Sequence, residues 1–340
     1  MQPELLLGIM IIASLTFYVL LAGADYGGGI WDLLSSGERA QQQRDVIARA
    51  ITPVWEVNHV WLILVIVLLW TGFPPAFAAI TTALHIPLFA LLLGIIFRGV
   101  SFTFRNSDAR SARIQRMWGF VFSIASIIAP FVLGIVVGGV THGSVIISNG
   151  TSADGFLRTW FSPFPLVVGG FAVSLFAYLA AVYLTVEAST QDLREGFRRR
   201  AIYAGVAVAL LALATFLVSI TQAEEVKDAL LKRPWSWVEQ TFTAIASVTA
   251  FWSLWQRRFL LARVAVAMQV SLILWGWALA QYPFLVRPLL TIQNSAAPPV
   301  VLKSLLLACL AGAIVLFPSI RYLFKVFKSA PGRMNEEPLH

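Results

Sequence analysis

The chain has 340 residues, a mean hydropathy of +0.78, 58% hydrophobic residues and only 12% charged ones. About a quarter of an ordinary soluble domain is charged, so that class is excluded and a polytopic, all-α membrane protein is expected. The formal charge of +8 does not point to nucleic acid, because the basic residues fall in short clusters between apolar runs, as cytoplasmic loops do.

In chain order the apolar runs predict nine spans, at about 5–33, 53–71, 76–97, 118–140, 164–187, 201–221, 238–256, 259–282 and 300–324. They make one integral membrane domain over 1–340: four helices up to about 140, five from about 164 to 324, and a short basic tail over 325–340. The first run lacks a basic n-region and a small-residue cleavage site, so it is expected to remain as a helix. Most Lys and Arg side chains fall on one side if the N-terminus is outside. The positive-inside bias therefore predicts N-out and C-in.

The first span ends in Gly23-Ala24-Asp25-Tyr26-Gly27-Gly28-Gly29-Ile30-Trp31-Asp32. This is no phosphate loop, since it lacks GxxxxGK[ST] spacing and follows a membrane helix rather than a strand. Gly27, Gly28 and Gly29 read first as a helix-packing face; three in a row also weaken a helix.

The second span is apolar only from Val60 to Trp70, too short to cross a bilayer. It reaches the needed length by starting near Pro53, which draws Glu56, Asn58 and His59 into or against the membrane. An intramembrane carboxylate costs at least a few kcal/mol and should face protein or water. With N-out topology, Asp25 and Glu56 sit at similar depth near the inner face of two antiparallel helices. They read as proton-path candidates, with Trp55 walling off a polar route and His59 extending it; the plain alternative is a carboxylate capped by an arginine or a backbone N–H.

No catalytic residue, metal ligand or haem ligand is assigned. The single cysteine, Cys309, lies in an apolar run, and the four histidines (His59, His85, His142, His340) do not pair at axial-ligand positions. His85, before Ile86-Pro87, reads as a donor to a carbonyl freed by a kink. Tyr183 and Glu187 share a face at the end of the fifth span, and Arg98, ending the third on the same side, suggests a structural Arg98–Glu187 ion pair. Tryptophans near span ends, Trp31 and Trp70 among them, read as interface anchors.

At these residues the chain resembles subunit II of the cytochrome bd-type quinol oxidases, including the cyanide-insensitive branch. The resemblance is carried by Gly23–Gly29, by Pro53-Val54-Trp55-Glu56-Val57-Asn58-His59-Val60-Trp61, by Phe73-Pro74-Pro75-Ala76-Phe77-Ala78 and by the Phe97-Arg98 to Phe104-Arg105 stretch. Pro163-Phe164-Pro165 and Tyr178–Glu187 extend it; beyond about residue 200 it rests on length and hydropathy. It implies nine helices as two four-helix bundles plus a peripheral helix, in a bacterial cytoplasmic (inner) membrane. It also implies a partner subunit I carrying haem b and haem d, together with quinol or quinone, the lipid bilayer and a small accessory membrane subunit as further partners. Asp25 and Glu56 match the family's acidic proton-uptake positions, and Trp55 matches its neighbouring tryptophan. Glu56 replaces a common aspartate, His59 stands where Glu or Gln is frequent, and Arg98-Gly99-Val100-Ser101-Phe102 departs from Arg-Pro-Val-Gly-Phe. The rival readings are a proton-coupled transporter, against which no paired interrupted helices appear, and a purely structural subunit.

Overall fold

The computed structural model describes residues 2–52, 54–107, 112–143, 147–148, 151–152 and 157–328. Pro53, His340, most of the basic tail and the side chains of Glu56, 105–107, 112 and 323–328 lie outside the described set.

Helix α1 (Pro3–Leu33) opens on a proline, whose missing N–H is an orphan in a first turn anyway. It runs through the triple glycine without a break. A short amphipathic helix, α2 (Ala40–Ile51), follows where the sequence suggested only a loop, and it buries Val46, Ile47 and Ile51. Helix α3 (Trp55–Gly72) then meets α4 (Pro74–Ala83) at a bend of 117°. The expected third span is thus divided. Pro74-Pro75 opens α4, and the crossing helix is α5 (His85–Ser107), which runs about ten residues further than expected. At the break His85 Nδ1 lies 2.9 Å from the Thr82 carbonyl oxygen, in line with the role read for it.

The chain continues through α6 (Ala112–His142), a two-residue hairpin pair β1 (Ile147–Ser148) and β2 (Thr151–Ser152), α7 (Pro163–Glu187) and α8 (Gln191–Gln222). Thr190 caps α8 by accepting the Leu193 N–H at 3.4 Å. Then come α9 (Glu224–Lys232), α10 (Pro234–Trp255), α11 (Phe259–Gln281), the hairpin β3 (Phe284–Val286) and β4 (Leu290–Thr291), and α12 (Pro299–Lys328).

Among the described residues seven helices are long and apolar enough to cross a membrane, and the bent α3–α4 pair makes an eighth. Helix α10 stands where the seventh expected span lies, its apolar run diluted by Glu239, Gln240 and several hydroxyl residues. Helices α1, α3, α5 and α6 pack as one group, α7, α8, α10 and α11 as another, and α1 and α6 join them through α7. Helix α12 rests on α1 and α3 and is otherwise exposed, the peripheral helix of the expected arrangement.

The glycines of α1 set its contacts one by one. A Cβ on Gly27 would collide with the Phe176 carbonyl oxygen of α7 and come within 2.6 Å of Ala180 Cβ, so the backbones of α1 and α7 touch there. On Gly28 it would meet Ile51 Cδ1 of α2 at 2.8 Å, and on Gly29 the Ser126 hydroxyl of α6. The triple glycine is helical because three neighbouring helices clamp it.

Candidate functional site

The packing of α1 against α3 and α6, with α5 packed on α6, brings three polar side chains into one dry contact. Asp25 is 0% exposed, Asn58 0% and Arg98 1%. Asn58 Nδ2 donates to Asp25 Oδ2 at 2.6 Å, Arg98 forms an ion pair with Asp25 Oδ1, and Arg98 Nη2 also donates to the Asp25 carbonyl oxygen at 3.2 Å. The guanidinium lies 4.7 Å from the Tyr26 ring centre and 5.0 Å from that of Phe122. Its charge is therefore met by a carboxylate on one edge and aromatic faces on the others, the arrangement that makes a buried guanidinium tolerable.

His59 borders this cluster. Its Nδ1 lies 2.8 Å from the Trp55 carbonyl oxygen and its Nε2 lies 3.5 Å from the Tyr26 hydroxyl oxygen. Trp55 packs on Phe102 at 5.8 Å between ring centres, and Phe102 on Phe122 at 5.8 Å, so an aromatic wall closes the side toward α5 and α6. Asn58 Oδ1 and Arg98 Nε have no hydrogen-bond partner among the described residues, which leaves an acceptor and a donor inside the cluster for a further polar group.

Of the four residues expected to form a proton path, Asp25, Trp55 and His59 are brought together. Glu56 opens α3 beside them, its side chain outside the described set. Asp25 is fully buried rather than at the wet headgroup boundary. The expected Arg98–Glu187 ion pair does not form. Because α5 continues to Ser107, Arg98 lies inside the helix and turns to Asp25, while exposed Glu187 pairs with Arg263 at 3.4 Å, and Arg263 covers Tyr183 at 4.9 Å. Trp31 is no interface anchor either: it is buried, and its Nε1 donates to the Ala177 carbonyl oxygen at 2.8 Å. Sequence reasoning left Asn58 and Tyr26 without a role. A carboxylate inside one apolar run and an arginine at the end of another were the signal that Asp25 and Arg98 meet.

Both ring nitrogens of His59 face protein oxygens, and His85 is turned to the Thr82 carbonyl. Among the described residues no three His, Cys, Asp or Glu side chains gather as a metal site.

Fold and site together define a polytopic helical membrane protein built around a dehydrated carboxylate–guanidinium pair. The family model described as cytochrome bd terminal oxidase subunit II matches residues 3–327. The chain belongs to that family and is an oxidoreductase subunit, which implies a partner subunit I. It is 26% identical over 340 residues to a putative cytochrome bd menaquinol oxidase subunit II of Bacillus subtilis (strain 168), covering 96% of each chain. It is 27% identical over 188 residues to the cytochrome bd-I ubiquinol oxidase subunit 2 of Escherichia coli (strain K12), covering 53% of this chain and 46% of that one. A chain of the bd oxidase from Geobacillus thermodenitrificans superposes with a TM-score of 0.82 at 24% identity, covering 97% of this chain and all of the other, a likeness of fold.

Proposed function

We propose that this chain is the haem-free subunit of a quinol:O₂ oxidoreductase, with haem b and haem d held by subunit I, and that it takes up protons from the cytoplasmic side for reduction of oxygen to water. The observation that carries the reading is the Asp25–Asn58–Arg98 cluster, sealed from solvent and flanked by His59, Tyr26 and the start of α3. Intramembrane Asp, Glu and His in contact are the usual means of moving protons through a bilayer. Asp25 and Arg98 supply a fixed, balanced charge pair. Glu56, Tyr26 and His59 supply groups that pass a proton along it, since His59 Nε2 faces the Tyr26 hydroxyl. The basic clusters support N-out and C-in orientation, which puts the α1–α2 end of the cluster on the cytoplasmic side.

Glu56→Gln and Asp25→Asn test the reading. In the purified oxidase, turnover with excess quinol should fall by about 10²-fold, the low end for a lost proton-transfer group, while reduced-minus-oxidised haem spectra stay normal. Unchanged oxygen consumption in both variants rules out the proton role.

A second reading follows from the ion pair itself. Asp25 and Arg98 tie α1 to α5, which otherwise meets α1 chiefly through α6, so the cluster acts as a pin that holds the bundle for subunit I. On that reading Asp25→Asn loses the complex rather than its turnover. An apolar cavity of about 530 Å³ between α1, α3, α5 and α6, lined by Ile11, Leu15, Val65, Leu91 and Val136, adds room for the hydrocarbon tail of a lipid or a quinone.

A further inference from the structure

A second acid continues the line of Asp25 toward the α2 end of the molecule. Asp32 is seven residues further along α1, which places it on the same helix face about 10 Å down the axis. It is 4% exposed. Ser123 Oγ of α6 donates to Asp32 Oδ2 at 3.3 Å, and Arg44 Nε of α2 stands 4.0 Å from Asp32 Oδ1 with 37% of its side chain exposed. Arg44 also donates to the Ser35 carbonyl oxygen at 3.4 Å, so it bridges the last turn of α1 and the surface.

Between the two acids this face of α1 is nearly bare. At Gly29 the Ser126 hydroxyl of α6 occupies the place a Cβ would need. Ser123 and Ser126 are three residues apart, hence on one face of α6, and both are buried. Ser126 Oγ donates to the Phe122 carbonyl oxygen at 2.7 Å, and the Phe122 ring carries the Arg98 guanidinium 5.0 Å from its centre. The seam between α1 and α6 therefore holds, in order, a surface arginine, a carboxylate, two hydroxyls and the buried ion pair. On the far side Trp31, bonded to Ala177 and covered by Arg200 at 5.6 Å, keeps the seam closed.

We propose that Asp32 is the surface-end acid of this seam, taking up a proton beside Arg44 and passing it through Ser123 and Ser126 toward the Asp25 cluster. The proposal rests on the proton-uptake reading above. In each transfer the carboxyl proton of Asp32 moves to Ser123 Oγ while the hydroxyl proton of Ser123 moves to Ser126 Oγ, and the Ser126 hydroxyl, turning from the Phe122 carbonyl, gives its own proton to the Asp25 carboxylate. One proton advances, Asp32 is left as carboxylate, and it is reprotonated from solvent beside Arg44; no electron moves. Glycine at 29 is what lets the Ser126 hydroxyl approach the α1 backbone closely enough to join the line.

The test uses the whole oxidase with excess quinol and oxygen, with and without formate as a small diffusible acid. Asp32→Asn keeps the shape and removes the exchangeable proton. The expected result is a tenfold or larger fall in kcat, an unchanged KM for quinol, normal haem spectra, and partial recovery of rate on adding formate. Asp32→Glu keeps most of the rate, and Ser123→Ala loses part of it. A native rate in Asp32→Asn overturns the proposal, and so does a loss that formate does not relieve, because a packing role would not respond to an added acid. Should Asp32→Asn fail to assemble, Ser123→Ala decides: a native rate overturns the proposal and a formate-relieved loss supports it. Slow turnover in Asp25→Asn or Glu56→Gln beside a native rate in Asp32→Asn overturns only the role of Asp32. Native rates in Asp25→Asn and Glu56→Gln overturn the uptake reading itself.

Discussion

Replacing Arg98 by Met removes the guanidinium and leaves the Asp25 carboxylate with Asn58 as its neighbouring side-chain donor, in a place 0% exposed. Breaking a buried pair by taking away one partner costs about 3–5 kcal/mol, because the remaining charge is uncompensated. Loss of the contacts to the Tyr26 and Phe122 rings adds about 0.5–2 kcal/mol for each desolvated face. Asp25→Asn makes the opposite error and strands the guanidinium. The double variant strands neither, and exchange of a buried pair for neutral groups of similar volume is close to neutral. The expected pattern is therefore strong destabilisation in both single variants and recovery of most of it in the double. The measurement is the thermal inactivation midpoint of the purified complex at one fixed scan rate, with haem absorbance as the sign of an intact partner. Additive losses in the double variant would refute the pairing. The same double variant separates the two readings of the cluster: a pin is satisfied by restored stability and returns native turnover, whereas a proton path stays slow.

Gly27→Ala should disrupt assembly, since its Cβ meets backbone at Phe176, while Gly28→Ala should be mild because Ile51 Cδ1, at 2.8 Å, is a free side-chain end. Expression of the intact complex for each variant compares them, with overpacking at Gly27 worth about 1–3 kcal/mol or more. Arg287, 5% exposed, pairs with Glu225 and donates to Gln281 Oε1 at 3.1 Å, tying the β3–β4 hairpin to α9 and α11. Arg287→Ala should open that hairpin to proteolysis; Glu225 is 62% exposed and is rehydrated, so the cost is that of the acceptors left unpaired at Gln281 and Ala280, about 1–3 kcal/mol. Lys232 holds the Asp228 carboxyl below its usual range through a 2.7 Å hydrogen bond. A depressed carboxylate favours the fold above its unfolded pKa, near 3.9, and the gain is lost as pH falls through the folded value. The protection factor of the α9 amides, which is the exchange rate corrected for its intrinsic pH dependence, should therefore stay flat from about pH 5 to 8 and fall only in stronger acid.

Much of this architecture was legible in the sequence because a bilayer forces long apolar runs, and these mark spans whatever the packing. Where the reading went wrong, polar or helix-breaking residues had two uses. Pro74-Pro75 and His85 sit in one apolar run that folds as two helices, α4 and α5, and length alone could show neither that break nor the 117° bend before it, between α3 and α4. Helix α2 escaped notice because its 12 residues are too short and too polar to register as a span, although Val46, Ile47 and Ile51 form an amphipathic stripe. The site was half legible. Asp25, Trp55 and His59 stood out as polar or aromatic residues in a costly place, and they do assemble. Arg98 was misassigned because the end of its helix was set too early, which moved it to the surface and toward Glu187. Ser123 and Ser126 carry no signal in sequence at all, since a serine in a membrane helix most often bonds its own backbone, as Ser126 does to Phe122.

The glycines explain why the charge pair lies where it does. A carboxylate and a guanidinium meet without water only if their helices approach closely and no side chain stands between them. Gly27 brings α1 onto the backbone of α7, and Gly29 admits the Ser126 hydroxyl of α6, which fixes the rotation of α1 about its own axis. With that rotation set, Asp25 points to α3 and α5 and Asp32 to α2 and α6. A glycine substitution should thus turn α1 as well as displace it, separating Asp25 from Arg98 and Asp32 from Ser123 together. The packing motif and the polar seam are one device: the first cannot be altered without moving the second.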